Sequence, residues 1–207
     1  PRRFQKRLPE KLVNEQKTIL FILGCAQKAR DGVADYTLRL AHELESKGIR
    51  CRLLGWNETS LQAPVISENL IRVPAALSWR AKLNLIKPWY DQAPPDKVSL
   101  QFVPYAFDSA GLPERLATEI SPAIAGKPLH IFMHELWVMP CMRARLKDKL
   151  LGYFLQKKVV LKTLRDLNPA LIHAAVPHYV RTLEHEKFPQ TRALPLFGNL
   201  PFHPITH

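Results

Sequence analysis

The stretch KTILFILGCAQKARDGVADYTLRLAHEL, residues 17–44, decides the fold. Residues 17–24 are a short, continuous apolar run, which is typical of a strand buried on both faces of a parallel sheet. After a polar loop, Tyr36, Leu40 and Leu44 recur at helical spacing. The stretch therefore predicts a buried strand, a loop that contains glycine, and an amphipathic helix.

The same alternation of strand and helix continues along the chain. Further strand-like runs occupy residues 50–56, 98–104, 128–135, 170–176 and 192–197, and helical spacing occupies 77–90, 113–124, 142–167 and 179–185. Crossovers of roughly ten residues or more are too long for hairpins and favour right-handed connections between parallel strands. Gly48 stands where a helix C-cap is expected before the next strand. We therefore expect an α/β fold: a doubly wound, mainly parallel Rossmann-like sheet with helices on both faces.

Composition sets limits on size and partners. The chain has 207 residues, of which 46% are hydrophobic, so it can bury the core of one domain. Its 30 Lys and Arg against 18 Asp and Glu give a net charge of +12. Such a charge favours anionic partners, namely membranes, nucleic acids or phosphorylated ligands, without choosing among them.

Cysteine usage and hydropathy indicate the compartment. Cys25, Cys51 and Cys141 lie in or beside apolar stretches without C-x-x-C spacing, so neither a disulfide framework nor a zinc site is indicated. No apolar run approaches about 18 residues, and the charged start PRRFQKRLPEKLVNEQ is unlike a signal peptide. We expect a cytoplasmic protein, with peripheral contact at the inner face of the membrane left open.

The loop after the first strand is the strongest local signal for a site. Gly24 ends the strand, and Gly32 immediately precedes the helix, whose free N–H groups and positive dipole end suit a phosphate. The loop is neither the G-x-G-x-x-G fingerprint nor a P-loop. Taken by spacing alone, the better interpretation of Gly32 is a glycine needed only for a turn.

Four segments in order resemble retaining glycosyltransferases of family four. They are GVADYT (32–37) followed by L-x-x-A-x-x-L-x-x-x-G, then VSLQFVPYAFDSAGLP (98–113), IFMHELWV (131–138) and LPLFGNLP (194–201). The resemblance implies a glycosyltransferase-B fold, in which two Rossmann-like domains face each other across a cleft. It divides this chain into a basic N-terminal arm or helix (1–16), the acceptor-side domain (17–201) and the start of an interdomain linker (202–207).

The resemblance also implies an activity and its partners. The whole protein would transfer a sugar from a nucleotide-sugar donor to an acceptor hydroxyl with retention of configuration, as a hexosyltransferase without a metal or other cofactor. Its partners would be the donor and a glycan or lipid-linked acceptor. The family's E-x(7)-E pair and its basic phosphate-binding residues belong to a C-terminal donor-binding domain that this sequence does not contain. We therefore expect this chain alone to be inactive.

The resemblance assigns site residues by position. It places Asp31, Gly32 and Val33 in the donor-phosphate loop and His134 near the transferring sugar as the catalytic candidate. The acceptor candidates are Asp35 and Tyr36, together with Tyr105, Phe107 and Asp108 after the strand, since aromatic faces stack on sugar rings and a carboxylate accepts hydrogen bonds from hydroxyls. Family members have two adjacent glycines where this chain has Asp31 and Gly32, so a carboxylate stands at one close-approach position. A local hydrogen bond that caps the following loop is the alternative role for His134, and ordinary loop packing is the alternative for the acceptor residues.

Other residues carry weaker indications. Glu135 is expected to point away from His134 and to anchor the loop, and His173 is expected to be structural. The basic segment 141–167 suits a core helix with solvated lysines better than a membrane-surface helix, because its faces do not separate. No G-x-S-x-G or H-E-x-x-H motif supports a serine nucleophile or a zinc site.

A second class of function stays open. A basic α/β module could bind an anionic polymer, nucleic acid or anionic lipid without catalysis, and the charge of +12 is its main support. Nucleic acid is the least expected of these partners, because the sequence has no RNP-like, zinc-finger or recognition-helix pattern.

Overall fold

The computed structural model describes residues 16–124, 126–137 and 146–198, and for 146–152 it describes the backbone alone. Apart from Gln16, the expected basic arm (1–16) lies outside the described residues, and so does the expected linker (202–207).

Strands and helices alternate along the chain as expected. The strands are β1 (Thr18–Leu23), β2 (Arg50–Glu58), β3 (Val65–Ile66), β4 (Leu70–Pro74), β5 (Lys97–Phe102), β6 (Leu129–Met133), β7 (Leu171–Ala174) and β8 (Thr191–Ala193). The helices are α1 (Gly32–Glu45), α2 (Trp79–Gln92), α3 (Pro104–Phe107), α4 (Leu116–Ile124), α5 (Leu146–Leu167) and α6 (Pro177–His185). Each strand and helix that the sequence predicts is present, with shifted ends.

One sheet contains all eight described strands, in the order β3-β4-β2-β1-β5-β6-β7-β8. Every pairing is parallel except that of β3 with β4, which is antiparallel. From β1 the order grows outward in both directions, so the crevice between the carboxyl ends of β1 and β5 is the switch point of a doubly wound sheet. The expected α/β fold class is confirmed.

Helices cover both faces of the sheet. On one face, Phe21 and Leu53 pack against Leu38, Ala41 and other apolar residues of α1. On the other face, Leu20 and Ile22 belong to a larger cluster that includes Ile86, Ile120 and Leu164, from α2, α4 and α5 respectively. The side chains of β1 alternate between the two clusters, which explains its continuous apolar sequence.

Three elements of the structure are absent from the sequence-based prediction: β3, β4 and α3. β4 is short and carries Arg72 at its centre, and a charged residue there breaks the apolar run that indicates a buried strand. Arg72 is tolerated because the buried Glu58 carboxylate accepts from its Nε at 2.8 Å and its Nη2 at 3.0 Å. α3 is a single turn within the segment expected to be a loop, and Pro104 starts it.

The sequence of α5 predicts a core stripe of Leu146, Leu150, Phe154, Leu161 and Leu164. The side chains of Leu146 and Leu150 lie outside the described residues, and the rest of the stripe is confirmed only in its later part. Val160, Leu161 and Leu164 are buried, whereas the Phe154 side chain, predicted to belong to the same stripe, is 59% exposed. Among the described residues, no helix is both long and apolar enough to cross a membrane.

Candidate functional site

A cavity of about 610 Å³ opens at the carboxyl ends of β1, β5 and β6, beside the switch point of the sheet. It is lined by the end of the loop between β1 and α1, by the start of α1, by the segments after β5 and β6, and by the segment after β8. The lining residues are Asp31, Gly32, Val33, Tyr36, Val103, Tyr105, Ala106, His134, Glu135, Leu196 and Phe197. Six of the nine site residues expected from the sequence therefore lie around one space.

Asp31 is the N-cap of α1. Its extended backbone precedes the helix, and its Oδ1 accepts hydrogen bonds from the amides of Val33 at 2.8 Å and Ala34 at 3.0 Å. Free amides at a helix start attract anions, and here the carboxylate of Asp31 already occupies two of them. Gly32 beside it is exposed, and a Cβ added there would meet no heavy atom within 4 Å. The protein therefore presents the backbone of Gly32 openly, next to a negative charge.

Asp35 holds the preceding loop and does not line the cavity. Its Oδ1 accepts a hydrogen bond from the amide of Ala29 at 2.7 Å, and Ala29 has a φ of 60°. A non-glycine residue rarely adopts this left-handed backbone, so the hydrogen bond to Asp35 offsets part of its cost.

Glu58 anchors the other end of this loop. The fully buried carboxylate accepts from the amide of Ala26 at 2.7 Å and from the thiol of Cys25 at 3.2 Å, in addition to the guanidinium of Arg72. Burial pushes the pKa of Glu58 upward, but the hydrogen bonds from Arg72, Ala26 and Cys25 outweigh it, and the pKa is lowered. The loop after β1 is thus tied to β2 and β4 through one ionised side chain.

The loop after β1 also touches α3. A Cβ on Gly24 would lie 2.4 Å from the carbonyl oxygen of Ala106, so only glycine allows this approach. Asn57 joins the two segments, because its amide donates to Gly24 O at 2.7 Å and its side chain donates to Ala106 O at 3.2 Å. Two walls of the cavity are therefore in direct backbone contact.

Aromatic rings form the floor of the cavity. Tyr36 stacks on Phe197 with ring centroids 4.5 Å apart and on Phe132 at 5.6 Å, and it meets the edge of His134 at 5.3 Å. Burial raises the pKa of Tyr36, so its hydroxyl stays protonated at neutral pH. Tyr36 is buried in this stack, whereas Phe197 is 39% exposed and is the ring of the stack that a ligand can reach.

His134 follows β6 directly and is held from two sides. Its backbone amide donates to Phe102 O at 3.1 Å, and its Nε2 lies 2.9 Å from Oε1 of Gln101. Burial lowers the pKa of His134 to about 4, so the ring is neutral at neutral pH. This side-chain hydrogen bond goes to the neighbouring strand β5, 33 residues away, and not to the loop that follows His134, and the same side chain lines the cavity.

Glu135 lines the same cavity as His134, which the sequence did not lead us to expect. Strand alternation would send consecutive residues to opposite faces, but β6 ends at Met133, so this rule no longer applies at Glu135. Phe197 was likewise not singled out, although it belongs to the resembling segment 194–201.

The residues expected at the acceptor separate in the structure. Tyr105 lines the cavity, and its side chain is 48% exposed. Phe107 instead stacks on Phe102 with ring centroids 6.1 Å apart, and Asp108 accepts from the amides of Ala110 and Leu112. Phe107 and Asp108 line a second space of about 280 Å³.

In the part of the chain that the structure describes, no cluster of three or more His, Cys, Asp or Glu residues is arranged to hold a metal ion.

Comparison with known proteins yields solved structures of low similarity. No family model matches the chain, and no curated protein matches it either. An alpha-glucosyltransferase in complex with UDP-glucose and DNA containing an abasic site is 12% identical, with a TM-score of 0.49, and the match covers 86% of this chain and 41% of that one. An alpha-glucosyltransferase in complex with UDP is 16% identical, with a TM-score of 0.43 and coverage of 91% and 42%. This chain thus spans about two fifths of those structures, and similarity at this level leaves its function to rest on the site itself.

Proposed function

We propose that this chain is the acceptor-side half of a glycosyltransferase, which transfers a sugar from a nucleotide-sugar donor to an acceptor hydroxyl with retention of configuration. The observation that carries the proposal is the cavity at the switch point, where three sequence segments that resemble the family contribute Gly32, Tyr105 and His134 to one space. A fourth such segment contributes Phe197. Ligands of open α/β sheets bind in this crevice.

The donor diphosphate approaches the exposed backbone of Gly32. The start of α1 supplies the positive end of a helix dipole, and no side chain at Gly32 blocks the way. Asp31 weakens this contact, because its carboxylate has the same sign as the diphosphate and already caps two amides. Most of the positive charge that stabilises the leaving group therefore comes from the second domain of the whole protein.

His134 acts by positioning. A neutral imidazole cannot offset the charge of a leaving diphosphate, but it can exchange hydrogen bonds with a sugar hydroxyl. Tyr105 offers exposed aromatic surface beside it, suited to the apolar face of a sugar ring, whereas Tyr36 is buried against Phe132 and Phe197. Asp35, Phe107 and Asp108 act only indirectly, by holding the loops. The reaction uses no metal ion.

The proposal is tested by sugar transfer and donor hydrolysis, with this chain and with the full-length gene product, on a panel of nucleotide sugars with and without chelator. We expect chelator-resistant transfer by the longer protein. His134→Ala is expected to lower the transfer rate of the longer protein by about a hundredfold, because positioning contributes several kcal/mol to such reactions. The matched control is His185→Ala, since that side chain is 89% exposed and lies outside the cavity. Equal activity of the two variants would refute the assignment of His134.

A second candidate is a binding module without catalysis, favoured by the net charge of +12. It predicts binding to polynucleotide or to vesicles of anionic lipid that weakens steeply with salt, together with no turnover by either protein. Docking of a glycosyltransferase on anionic lipid combines the two proposals and predicts both turnover and salt-sensitive vesicle binding. The same assays therefore separate the three.

A further inference from the structure

A continuous chain of hydrogen bonds leads from the cavity through the interior of the sheet. We call it the polar chain; in order, its members are His134, Gln101, Ser99, His130 and His173. The successive distances are 2.9 Å from His134 Nε2 to Gln101 Oε1, 2.9 Å from Gln101 Nε2 to Ser99 Oγ, 2.8 Å from Ser99 Oγ to His130 Nδ1, and 3.0 Å from His130 Nε2 to His173 Nδ1. Gln101 and Ser99 are almost completely buried.

The polar chain follows from the register of the sheet. Ser99 of β5 pairs with His130 of β6, and Phe132 of β6 pairs with His173 of β7. Paired residues of parallel strands lie on the same face, so alternate positions of three neighbouring strands meet there. Buried polar groups are retained when they are hydrogen-bonded, and each member of this set satisfies the next.

The histidines of the polar chain are neutral at neutral pH. Burial lowers the pKa of His130 and of His134 to about 4, and burial also lowers the pKa of His173. A neutral imidazole has one N–H donor and one nitrogen acceptor. Each ring therefore carries its proton on either Nδ1 or Nε2, and the position chosen in one ring determines whether its neighbour in the polar chain must donate or accept.

The amide of Gln101 sets the direction of the polar chain. Its oxygen faces Nε2 of His134, so that nitrogen donates, and its nitrogen donates to Oγ of Ser99. The Ser99 hydroxyl then donates to Nδ1 of His130, which leaves the proton of His130 on Nε2, facing Nδ1 of His173. If the donors and acceptors were reversed, the side-chain amide of Gln101 would have to rotate, and each of the three histidines would carry its proton on Nδ1. The direction described here instead places the proton on Nε2, the tautomer that neutral imidazole prefers in water.

We propose that the polar chain locks His134 in the Nε2–H tautomer, so that Nδ1 meets a ligand in the cavity only as a hydrogen-bond acceptor. Gln101, Ser99, His130 and His173 are then positioning residues for His134. The side-chain amide of Gln101 accepts a hydrogen bond at one end and donates one at the other, but it does not take up and release protons. The polar chain therefore selects a tautomer and does not conduct protons. His134 in this tautomer favours a ligand group that donates a hydrogen bond, such as a hydroxyl. The identification of that hydroxyl as part of a sugar rests on the proposed function.

The test is the tautomer of His134, measured without ligand by long-range ¹H–¹⁵N correlation on the labelled protein at pH 7. We expect a single set of His134 ring signals with the proton on Nε2. Ser99→Ala removes the middle of the polar chain and frees the Gln101 amide to rotate, so a second set of signals with the proton on Nδ1 is expected. Thr163→Val is the matched control, since it removes a buried hydroxyl that donates to Pro113 O, outside the polar chain.

His173→Leu gives an independent break at the half-buried end of the polar chain, so the test survives if Ser99→Ala does not fold. Protonation of Nδ1 in the unaltered protein would overturn the proposal, and so would an unchanged tautomer in both variants. The measurement involves neither donor nor acceptor. A tautomer lock without sugar transfer would therefore refute the proposed function alone, and sugar transfer without a lock would refute this inference alone.

Discussion

At the scale of single residues, Asp31 places a carboxylate at the helix start that lines the cavity. We predict that Asp31→Gly tightens the binding of a nucleotide sugar to this chain by about tenfold, because a charge of the same sign as the diphosphate is removed, and tenfold corresponds to about 1.4 kcal/mol. Glycine is a tolerable N-cap, so the loss of helix stability is a few tenths of a kcal/mol. Isothermal titration calorimetry measures the change.

Asp96→Gly is the control for the Asp31 variant. Asp96 precedes β5 at the amino ends of the strands, where its carboxylate accepts from the amide of Thr18 at 2.7 Å. Its removal changes the net charge equally but at the opposite edge of the sheet, so binding should stay the same. Weaker binding by Asp31→Gly would show that the capped helix start does not face the phosphates.

The site residues differ in how readily sequence alone could indicate them. Tyr105 and His134 stand just after recognisable strands, Gly32 and Tyr36 lie in the first turns of the helix that follows the first strand, and the carboxyl ends of parallel strands converge. Gln101 lies inside an apolar strand, and its partners become apparent only with the register of β5 against β6. Residues that meet across strands without a sequence motif were therefore missed.

At the scale of elements, Glu58 connects the loop after β1 to β4. We predict that Glu58→Gln lowers the free energy of unfolding by about 3 kcal/mol, because it leaves the guanidinium of Arg72 without its buried partner charge. Glu68→Gln is the matched control: Glu68 pairs with Arg50, but its side chain is 81% exposed, so a change of at most about 1 kcal/mol is expected. Urea denaturation of both variants measures the difference, and equal losses would contradict the role of Glu58.

Strands could be predicted from the sequence where their own apolar pattern determines them. β1, β2, β5 and β6 contain mainly apolar residues and are buried on both faces, and their sequences show it. β3 is only two exposed residues, and β4 depends on an ion pair between residues 14 positions apart. Neither leaves a pattern within its own segment, so long-range pairing accounts for what the sequence did not reveal.

At the scale of the whole molecule, the buried histidines make stability depend on pH. His130 and His134 have pKa values of about 4 in the folded protein, against about 6.5 in an unfolded chain. Between these values the unfolded chain binds more protons, so the free energy of unfolding falls as pH falls from 6.5 to 4. Each histidine contributes a slope of about 1.4 kcal/mol per pH unit within that window.

Urea denaturation at pH 7 and pH 5 tests this dependence. The lowered pKa of Glu58 also removes stability in acid, but only below its ordinary value of about 4.5, so the interval above pH 5 isolates the histidines. The exposed His185 serves as control, because His185→Ala should keep the full slope. Equal stability at pH 7 and pH 5 would show that His130 and His134 are not held neutral by burial.

The short strands at the two sides of the sheet bear on how copies of this protein meet. The sheet ends in β3, which has two residues and runs antiparallel, and in β8, which has three. An outer strand offers unpaired N–H and C=O groups on which another molecule can add a strand, and strands this short offer very few. We therefore expect little edge-to-edge association of copies through the described sheet, although its interior strands are mainly apolar.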